Sequence, residues 1–459
     1  MRGVKRALSA AFVCCLLLPA ASASASTHTQ TMSVGPVTVG GYQVKYGFIP
    51  APHPPVNGWV THMDVDVVDG PGADAKPVPI SRLMLHHIVF VNLSRRDGTC
   101  GSYTSFDSIS KLPAAERFYA AGEERAKMAL PSGYGYRMRP SDGWYLTYMF
   151  MNHKPRTDRA WIRYHVQYET TPQTDVKPYW LDVKNCLADP VFNVPGGKRR
   201  GSTYRRSATW TAPEAGRLVA GGGHVHGGAR NLRLSRTDCG GQRLYTSRPL
   251  WGNPDHPFYH VRPILHEPGP ISMSGFNSQT GIPVAKGERL RLDANYDDSL
   301  VHTRVMGIMV VYMAPDESVR SGCGALPSDL VDLRSTQPGR TVAPRFRVPI
   351  VGIRHGVARD ISRPRGRRVR LGRHGKITVG DLFFRHANVS IRSGSTLRWD
   401  FVGSEIHNVT VANGPRGFAS TNLTGGRSFR KTLRTPGTYR IFCALHPVSM
   451  TATIRVRRR

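Results

Sequence analysis

The C-terminal part of the chain places three different metal-binding side chains in one short segment. The sequence "CALHPVSM" puts Cys443, His446 and Met450 within eight residues, and His407 opens an apolar run upstream. Two imidazoles, a thiolate and a weak axial thioether form the ligand set of a type 1 copper ion. In such sites most ligands lie on one loop between the last two strands. These four residues therefore predict an electron-transfer copper centre.

Two histidine pairs and a methionine farther upstream form a second set of candidate ligands. The pairs are His86 and His87 in "LMLHHIVF" and His224 and His226 in "GGGHVHGG", and Met306 lies in "HTRVMGIMVVYM". Residues i and i+2 of a strand point to the same face, so His224 and His226 can share one ion. Adjacent His86 and His87 point to opposite faces unless the strand is bulged or ends there. Taken alone, each motif is more often a set of core or loop residues than a metal site.

The elements that must position these residues are strands. Short alternating runs such as "HMDVDVV", "IRYHVQY", "LRLDANY" and "VSIRSGSTLRWDF" are separated by turns rich in Gly and Pro. A helix is predicted only around residues 113–128. The length of 459 residues exceeds what one core usually organises, so the sequence predicts an all-β chain of two or three packed sandwiches.

The N-terminal segment and the cysteines indicate an exported protein. Three basic residues, an apolar run and "ASASAS" are typical of a secretory signal peptide at residues 1–25, and no later stretch is long and apolar enough to span a bilayer. The expected location is therefore secreted, periplasmic or cell envelope. Two disulfides among the next four cysteines have three possible connectivities, and Cys443 is left over for a metal. These four cysteines are Cys100, Cys186, Cys239 and Cys323.

The net charge of +32 is extreme, and much of it is arginine between residues 339 and 376. Such a segment is typical of a linker with a polybasic face that binds anionic cell-envelope polymers. The alternative is a solvated linker whose charge has no partner. The basic residues are not interleaved with aromatic ones, so we expect no nucleic-acid partner.

The C-terminal segment resembles a known family of copper proteins. From residue 376 to 459, the "HN" at His407 and the C-x2-H-x3-M motif that begins at Cys443 resemble the plastocyanin/amicyanin cupredoxins. The family spacing before the methionine is two or four residues, whereas this chain has three. The resemblance implies a Greek-key β-sandwich with one type 1 copper on His407, Cys443, His446 and Met450. We interpret His386 in this segment as structural.

The larger part of the chain resembles a second family. The order of the His-His, His-x-His and methionine motifs over residues 36–320 is similar to that of the copper type II, ascorbate-dependent monooxygenases and their stress-nodulin-like relatives. The resemblance implies two jelly-roll-like β-sandwiches with up to two type 2 coppers. One is an electron-transfer copper on His86, His87 and a third ligand. The other is the catalytic, oxygen-activating copper on His224, His226 and Met306.

Two departures from the family pattern concern the third ligand and the substrate. His153 is the favoured third ligand of the His86/His87 site, and Met151 and His165 are the alternatives. Gly222 stands where peptide-hydroxylating members have a carboxylate-binding arginine, which disfavours a glycine-extended peptide. We interpret the stretch "HPFYHVRPILHEP" as a loop with ordinary histidines, although it could border the cleft; it contains His256, His260 and His266.

Together these patterns predict a secreted multi-copper protein of five segments. They are a signal peptide (1–25), a monooxygenase-like sandwich (26–190), a second such sandwich (191–335), an Arg-rich linker (336–375) and a cupredoxin domain (376–459). The predicted function is hydroxylation of a C–H bond in an unknown small-molecule or peptide substrate, with electrons passed from an external donor through the blue-copper domain. The alternatives are a copper-binding electron-transfer or storage protein without oxygenase activity, and an adhesin with only the cupredoxin active.

Overall fold

The computed structural model describes residues 27–106 and 111–458, and this part of the chain is almost entirely β. Its helix α1 (Pro257–His260) has four residues. Three β-sandwiches follow one another, which confirms the predicted all-β class. The predicted signal peptide at 1–25 lies outside the described residues. Within the described residues, no helix has the length and apolar character needed to cross a membrane.

The first sandwich packs a sheet in the order β1-β11-β3-β9-β12, with β8 on β3, against a sheet in the order β2-β10-β4-β7. Phe90 and Tyr164 from the facing sheets meet in its core. Strands β5 and β6 form a small separate pair. The strands are β1 (Thr27–Val39), β2 (Val44–Pro50), β3 (Gly58–Val68), β4 (Leu83–Arg96), β5 (Ser102–Thr104), β6 (Lys111–Pro113), β7 (Ala115–Gly122), β8 (Met128–Ala129), β9 (Tyr134–Met138), β10 (Trp144–Asn152), β11 (Asp158–Glu169) and β12 (Thr174–Asp175).

The second sandwich packs a sheet in the order β13-β24-β16-β21-β25 against a sheet in the order β15-β22-β17-β18. Strand β13 pairs with β24, so the second sandwich begins before residue 191. The strands are β13 (Lys177–Asp182), β14 (Phe192–Val194), β15 (Thr203–Thr211), β16 (Gly216–Val225), β17 (Ala229–Arg236), β18 (Arg243–Ser247), β19 (Pro249–Leu250), β20 (Ser272–Met273), β21 (Gly275–Val284), β22 (Arg289–Asp297), β23 (His302–Val305), β24 (Gly307–Pro315) and β25 (Val331–Leu333). The Tyr312 hydroxyl donates to the Phe118 carbonyl at 2.9 Å, which ties the two sandwiches together.

The third sandwich packs a sheet in the order β28-β31-β36-β35-β33 against a sheet in the order β30-β29-β32-β34. Trp399, Tyr439 and Ile454 are buried between the sheets. The strands are β28 (Val369–Arg370), β29 (His374–Gly380), β30 (Phe383–Phe384), β31 (Asn388–Arg392), β32 (Ser395–Phe401), β33 (Thr410–Asn413), β34 (Ser428–Leu433), β35 (Gly437–Phe442) and β36 (Thr451–Arg457).

The Arg-rich linker contains structure that the sequence did not predict. Strands β26 (Ile350–Arg354) and β27 (Val357–Ile361) form a hairpin. Val351 and Ala358 are buried against a patch of the first sandwich that includes Met84, and the Ala358 N–H donates to the Tyr42 hydroxyl at 3.0 Å. The linker is therefore fixed at this point to the first sandwich.

The predicted helix around residues 113–128 is wrong. Residues 115–122 form strand β7, which pairs with β4 so that Tyr119 lies opposite Phe90. The segment is apolar at consecutive positions because the second sandwich covers the face of β7 that a surface strand would expose. Periodicity alone cannot separate such a strand from a buried helix.

The cysteine framework agrees with the expectation for four paired residues and one free thiol. Disulfides join Cys100 to Cys186 and Cys239 to Cys323. Cys443 is free and buried. The first disulfide links the end of β4 in the first sandwich to the segment after β13, and so crosses the junction between the two sandwiches.

The docked hairpin predicts that Ala358→Asp releases the linker. A buried polar group without a partner costs about 1–3 kcal/mol and a carboxylate more, so the undocked population should rise about tenfold or more. Limited trypsin digestion should therefore cut the Arg-rich segment correspondingly faster. Val357→Asp is the matched control, because Val357 is 43% exposed on the same hairpin. Equal cleavage of both variants and the parent would show that the hairpin is not held on the first sandwich.

Candidate metal sites

The third sandwich brings its predicted copper ligands together. His407 follows β32 and forms a bridge with Leu423, while Cys443 and His446 lie on the loop after β35. The two Nδ1 atoms of His407 and His446 are 3.1 Å apart, and the Cys443 sulfur is 3.8 Å from His446 Nδ1. Met450 is fully buried in the same core as Cys443. Two imidazole nitrogens and a thiol that converge in this way fit a type 1 copper ion.

The outer nitrogens of both imidazoles face carboxylates. His407 Nε2 is 3.1 Å from Asp381 Oδ1, and His446 Nε2 is 3.5 Å from Glu405 Oε2. The Glu405 backbone N–H and then the His407 ring lower the pKa of Asp381 to about 2. Burial raises the pKa of the Cys443 thiol, whose sulfur accepts the Asn408 N–H at 3.4 Å. The carboxylates fix the ring orientation that leaves both Nδ1 atoms for a metal.

A β-bulge resolves the difficulty of two adjacent histidines. Along the β4/β10 pair, Met149 lies opposite His87 and Phe150 lies opposite Leu85, so His86 is the extra residue. The bulge turns the two side chains together, and their Nδ1 atoms are 3.2 Å apart. That separation is similar to the one between the imidazoles of the type 1 site. His86 and His87 therefore have the geometry of a pair that binds one ion.

The second histidine pair lies at the end of β16. His224 Nδ1 is 3.1 Å from Glu124 Oε1, and the His226 backbone N–H donates to the Tyr296 hydroxyl at 3.0 Å. The Nε2 atoms of His224 and His226 are buried and have no hydrogen-bond partner among the described residues. A buried ring nitrogen without a partner is a metal-ligand position once the other nitrogen is fixed. The Tyr296 hydroxyl also donates to the carbonyl of Met306, which places the third predicted ligand beside this pair.

The two histidine pairs meet in one group, which we call the histidine cluster: His86, His87, His224, His226 and His266. The rings of His86 and His226 are 5.1 Å apart, and those of His86 and His266 are 4.8 Å apart. Both sandwiches therefore contribute to one polar interior. The sequence had assigned the His86/His87 pair and the His224/His226 pair to separate ions, and His266 to neither.

His266 and two glutamates are site residues that sequence reasoning missed. Glu123 pairs with His266 Nε2 and lies 3.7 Å from His86 Nε2, and Glu124 binds His224. The His266 ring lowers the pKa of Glu123 to about 2 although burial opposes this. The signal that could have found them is the adjacent acidic pair at the end of an apolar strand. Such a pair is buried only if it has partners.

The structure separates the three candidates for the third ligand of the His86/His87 pair. His153 Nδ1 is 2.9 Å from the Pro263 carbonyl, and its buried Nε2 has no partner among the described residues. Met151 lines the same cavity as His86 and His87. His165 lies in β11 on the opposite sheet and contacts the Thr31 hydroxyl at 2.8 Å. The identity of the third ligand stays a prediction.

Burial keeps most of the cluster neutral. It lowers the pKa of His86 and His226 well below the usual range and that of His87 to about 4. Burial also acts on His224, but the Glu124 charge and hydrogen bond raise the pKa of that ring. Neutral imidazole is the form that binds metals, so these rings need little deprotonation before they bind an ion.

A cavity that opens to solvent lies between the histidine cluster and the third sandwich, and we call it the interdomain cavity. On one side it is lined by His86, His87, His226 and Met306. On the other it is lined by Phe442 and Ala444, the two neighbours of Cys443 in the chain. Val448 of the same loop packs against the patch of Met84, Met149 and Met151 on the first sandwich.

Two family models match separate parts of the chain. Residues 160–316 match the family model for stress up-regulated Nod 19, and residues 373–457 match that for copper binding proteins of the plastocyanin/azurin family. The chain thus joins a stress-nodulin domain to a C-terminal cupredoxin domain, which confirms the predicted fusion.

Two curated relatives are described as probable copper-dependent oxygenases. The protein M1 from Phoma sp. is 26% identical over 250 residues, which are 52% of this chain and 56% of that protein. The protein clz3 from Cochliobolus lunatus is 25% identical over 284 residues, which are 56% of this chain and 81% of that protein. The chain therefore spans about half the length of the first relative and most of the second.

Solved structures of cupredoxins match about a fifth of this chain. A purple cupredoxin from Nitrosopumilus maritimus is 23% identical, with 18% of this chain and 99% of that chain covered and a TM-score of 0.17. A reduced amicyanin mutant is 19% identical, with 18% and 81% covered and a TM-score of 0.16.

The Glu124 contact predicts that Glu124→Gln weakens metal binding at His224 and His226. The amide keeps the size of the side chain but removes the charge that fixes the His224 ring, and such changes typically cost 10- to 100-fold in metal affinity. Competitive titration of copper with a chelator would measure the loss. Glu116→Gln is the matched control, because Glu116 is also buried at β7 but bonds Tyr136, away from the histidines. Equal affinities in the two variants would exclude an orienting role for Glu124.

Proposed function

We propose that the protein is an exported copper-dependent monooxygenase that hydroxylates a C–H bond and receives electrons through its own type 1 copper domain. The oxygenase relatives, the cupredoxin domain and the two histidine pairs support this function. Two disulfides are typical of oxidising compartments and support export. When bound, copper held by imidazoles and a thioether supplies oxygen activation and hydrogen abstraction.

The observation that carries the proposal is the docking of the type 1 ligand loop onto the histidine cluster. Phe442 and Ala444 line the interdomain cavity together with three histidines of the cluster, His86, His87 and His226. Both are chain neighbours of Cys443, so Cys443 lies directly between two residues that line this cavity. The domain is held there by hydrogen bonds from the Thr303 hydroxyl to the Val411 carbonyl at 2.8 Å and from the Asn422 amide to the Phe106 carbonyl at 3.0 Å. Electrons that enter at Cys443 then have a short path to the cluster without domain movement.

In such an enzyme, each group of candidate ligands would have its own role. His407, Cys443, His446 and Met450 hold the electron-entry site. His86 and His87 hold the electron-storing site, with a third ligand from His153 or Met151. His224, His226 and Met306 hold the site at which substrate reacts, and Glu124 orients His224. Each hydroxylation consumes two electrons, which an external donor supplies.

The exposed arginines of the linker support a proposal for an envelope partner. Arg363, Arg365, Arg367 and Arg368 are exposed beside the docked hairpin. Anionic cell-envelope polymers bind such a face by charge.

Copper content and spectra of the purified protein test the proposed function. We expect about three copper ions per chain, and an intense thiolate-to-copper absorption band that Cys443→Ser removes while two type 2 signals remain. A single blue copper would contradict the oxygenase and favour an electron carrier. Variable copper loading without substrate oxidation would favour storage.

The docked loop predicts that Val448→Asp slows electron passage from the type 1 site to the histidine cluster. The unpaired carboxylate opposes docking by about 1–3 kcal/mol, so the rate should fall about tenfold while the blue band stays unchanged. Rapid-mixing absorption at the blue band would measure this rate after reduction. Val402→Asp is the control, because Val402 is 62% exposed on the same sandwich. Unchanged rates in both variants would mean that the observed docking does not serve electron passage.

A further inference from the structure

A second cavity borders the histidine cluster between the first two sandwiches. It opens to solvent and touches His87, His224 and Met306. We call it the sandwich cavity. Much of its remaining wall is apolar and includes Tyr119, Ala120, Trp180, Ile308, Val310 and Tyr312.

The polar groups in this wall are mostly occupied by the protein itself. The Tyr119 hydroxyl donates to the Ala126 carbonyl at 2.7 Å, and the Tyr312 hydroxyl donates to the Phe118 carbonyl at 2.9 Å. Glu124 accepts the Gly122 N–H at 3.0 Å and faces His224. The hydroxyl protons of these two tyrosines are therefore already donated and do not serve a ligand. Lys127 also borders the cavity, but it is exposed to solvent.

Two buried polar atoms among the residues that line the cavity have no partner in the described part of the chain. They are His224 Nε2, the predicted metal-ligand atom, and Nε1 of Trp180, a residue that lies between this cavity and a pocket beside Thr99 and Trp210. Trp180 is only 5% exposed, so its N–H donor is almost completely removed from water. A buried donor without an acceptor is costly, and one oxygen atom of a ligand would satisfy it.

Gly222 leaves the cavity open near the metal site. It lies two residues before His224, and a Cβ added there would meet no atom within 4 Å. Neither a cation nor any other side chain enters the cavity from this position. A carboxylate beside Gly222 would lose water without an arginine to pair with, and the lysine that borders the cavity, Lys127, is exposed to solvent; such burial is unfavourable.

We propose that the sandwich cavity is the substrate site, and that the substrate is an apolar small molecule with one oxygen acceptor for the Trp180 N–H. In this arrangement the apolar body lies against Tyr119, Ile308 and Tyr312, and one C–H bond faces His224 and Met306. The proposal rests on the proposed function, because it makes this molecule the substrate of that reaction.

Binding of two matched probes to the copper-loaded full chain tests the proposal without any need for turnover. The probes are 1-acetonaphthone, an apolar ketone, and 1-naphthoate, a carboxylate of similar size, and calorimetry measures both. We expect one site for the ketone and about tenfold or weaker binding of the carboxylate. Stronger binding of the carboxylate, or no binding of the ketone, would overturn the proposal even if three coppers are found.

Two variants locate the bound ketone. Gly222→Phe should fill the cavity and abolish ketone binding, with copper content and the blue band unchanged. Gly101→Phe is the matched control, because a Cβ at exposed Gly101 also meets no atom within 4 Å. Trp180→Phe should weaken binding of the ketone about threefold to tenfold. Binding of naphthalene, which has no oxygen acceptor, should stay unchanged. Wild-type ketone affinity in Gly222→Phe would place the ligand elsewhere and overturn the assignment.

Discussion

A buried imidazole binds a metal most readily when one nitrogen is fixed by a hydrogen bond and the other stays free, and three candidate ligands of this chain show that arrangement. His224 is fixed by Glu124, His153 by the Pro263 carbonyl and His407 by Asp381. In each case the partner comes from a different strand or loop. Because the partners are far apart in sequence, the sandwiches must be packed before the rings can have these orientations.

The bulge at His86 and His87 lies in a strand pair that also forms part of the docking surface for the third sandwich. It turns both rings toward the histidine cluster, and Met149 lies opposite His87 on the neighbouring strand. Met149 and Met151 then form part of the patch that receives Val448 from the third sandwich. The same strand pair therefore shapes the metal pair on one side and the docking surface on the other.

The sequence predicted those features that depend on local patterns. Alternating strands, the ligand loop at Cys443 and the two histidine pairs are visible in the order of the residues. The helix at residues 113–128 failed because burial of β7 by a second sandwich removes the alternation that marks a strand. Glu123 and Glu124 escaped notice, and His266 was interpreted as an ordinary loop histidine, because their partners are supplied by packing between domains. The linker hairpin was missed because its contact with the first sandwich depends on only two buried residues, Val351 and Ala358, within an Arg-rich segment.

The two cavities that border the histidine cluster differ in the residues that line them. The interdomain cavity is closed on one side by the type 1 ligand loop, so a substrate bound there would compete with Phe442 and Ala444 for the same space. The sandwich cavity has no residue of the third sandwich in its wall. His87 and Met306 border both cavities. Under the proposed function, electrons would arrive through one cavity while an apolar molecule occupies the other, and neither would have to displace the docked domain.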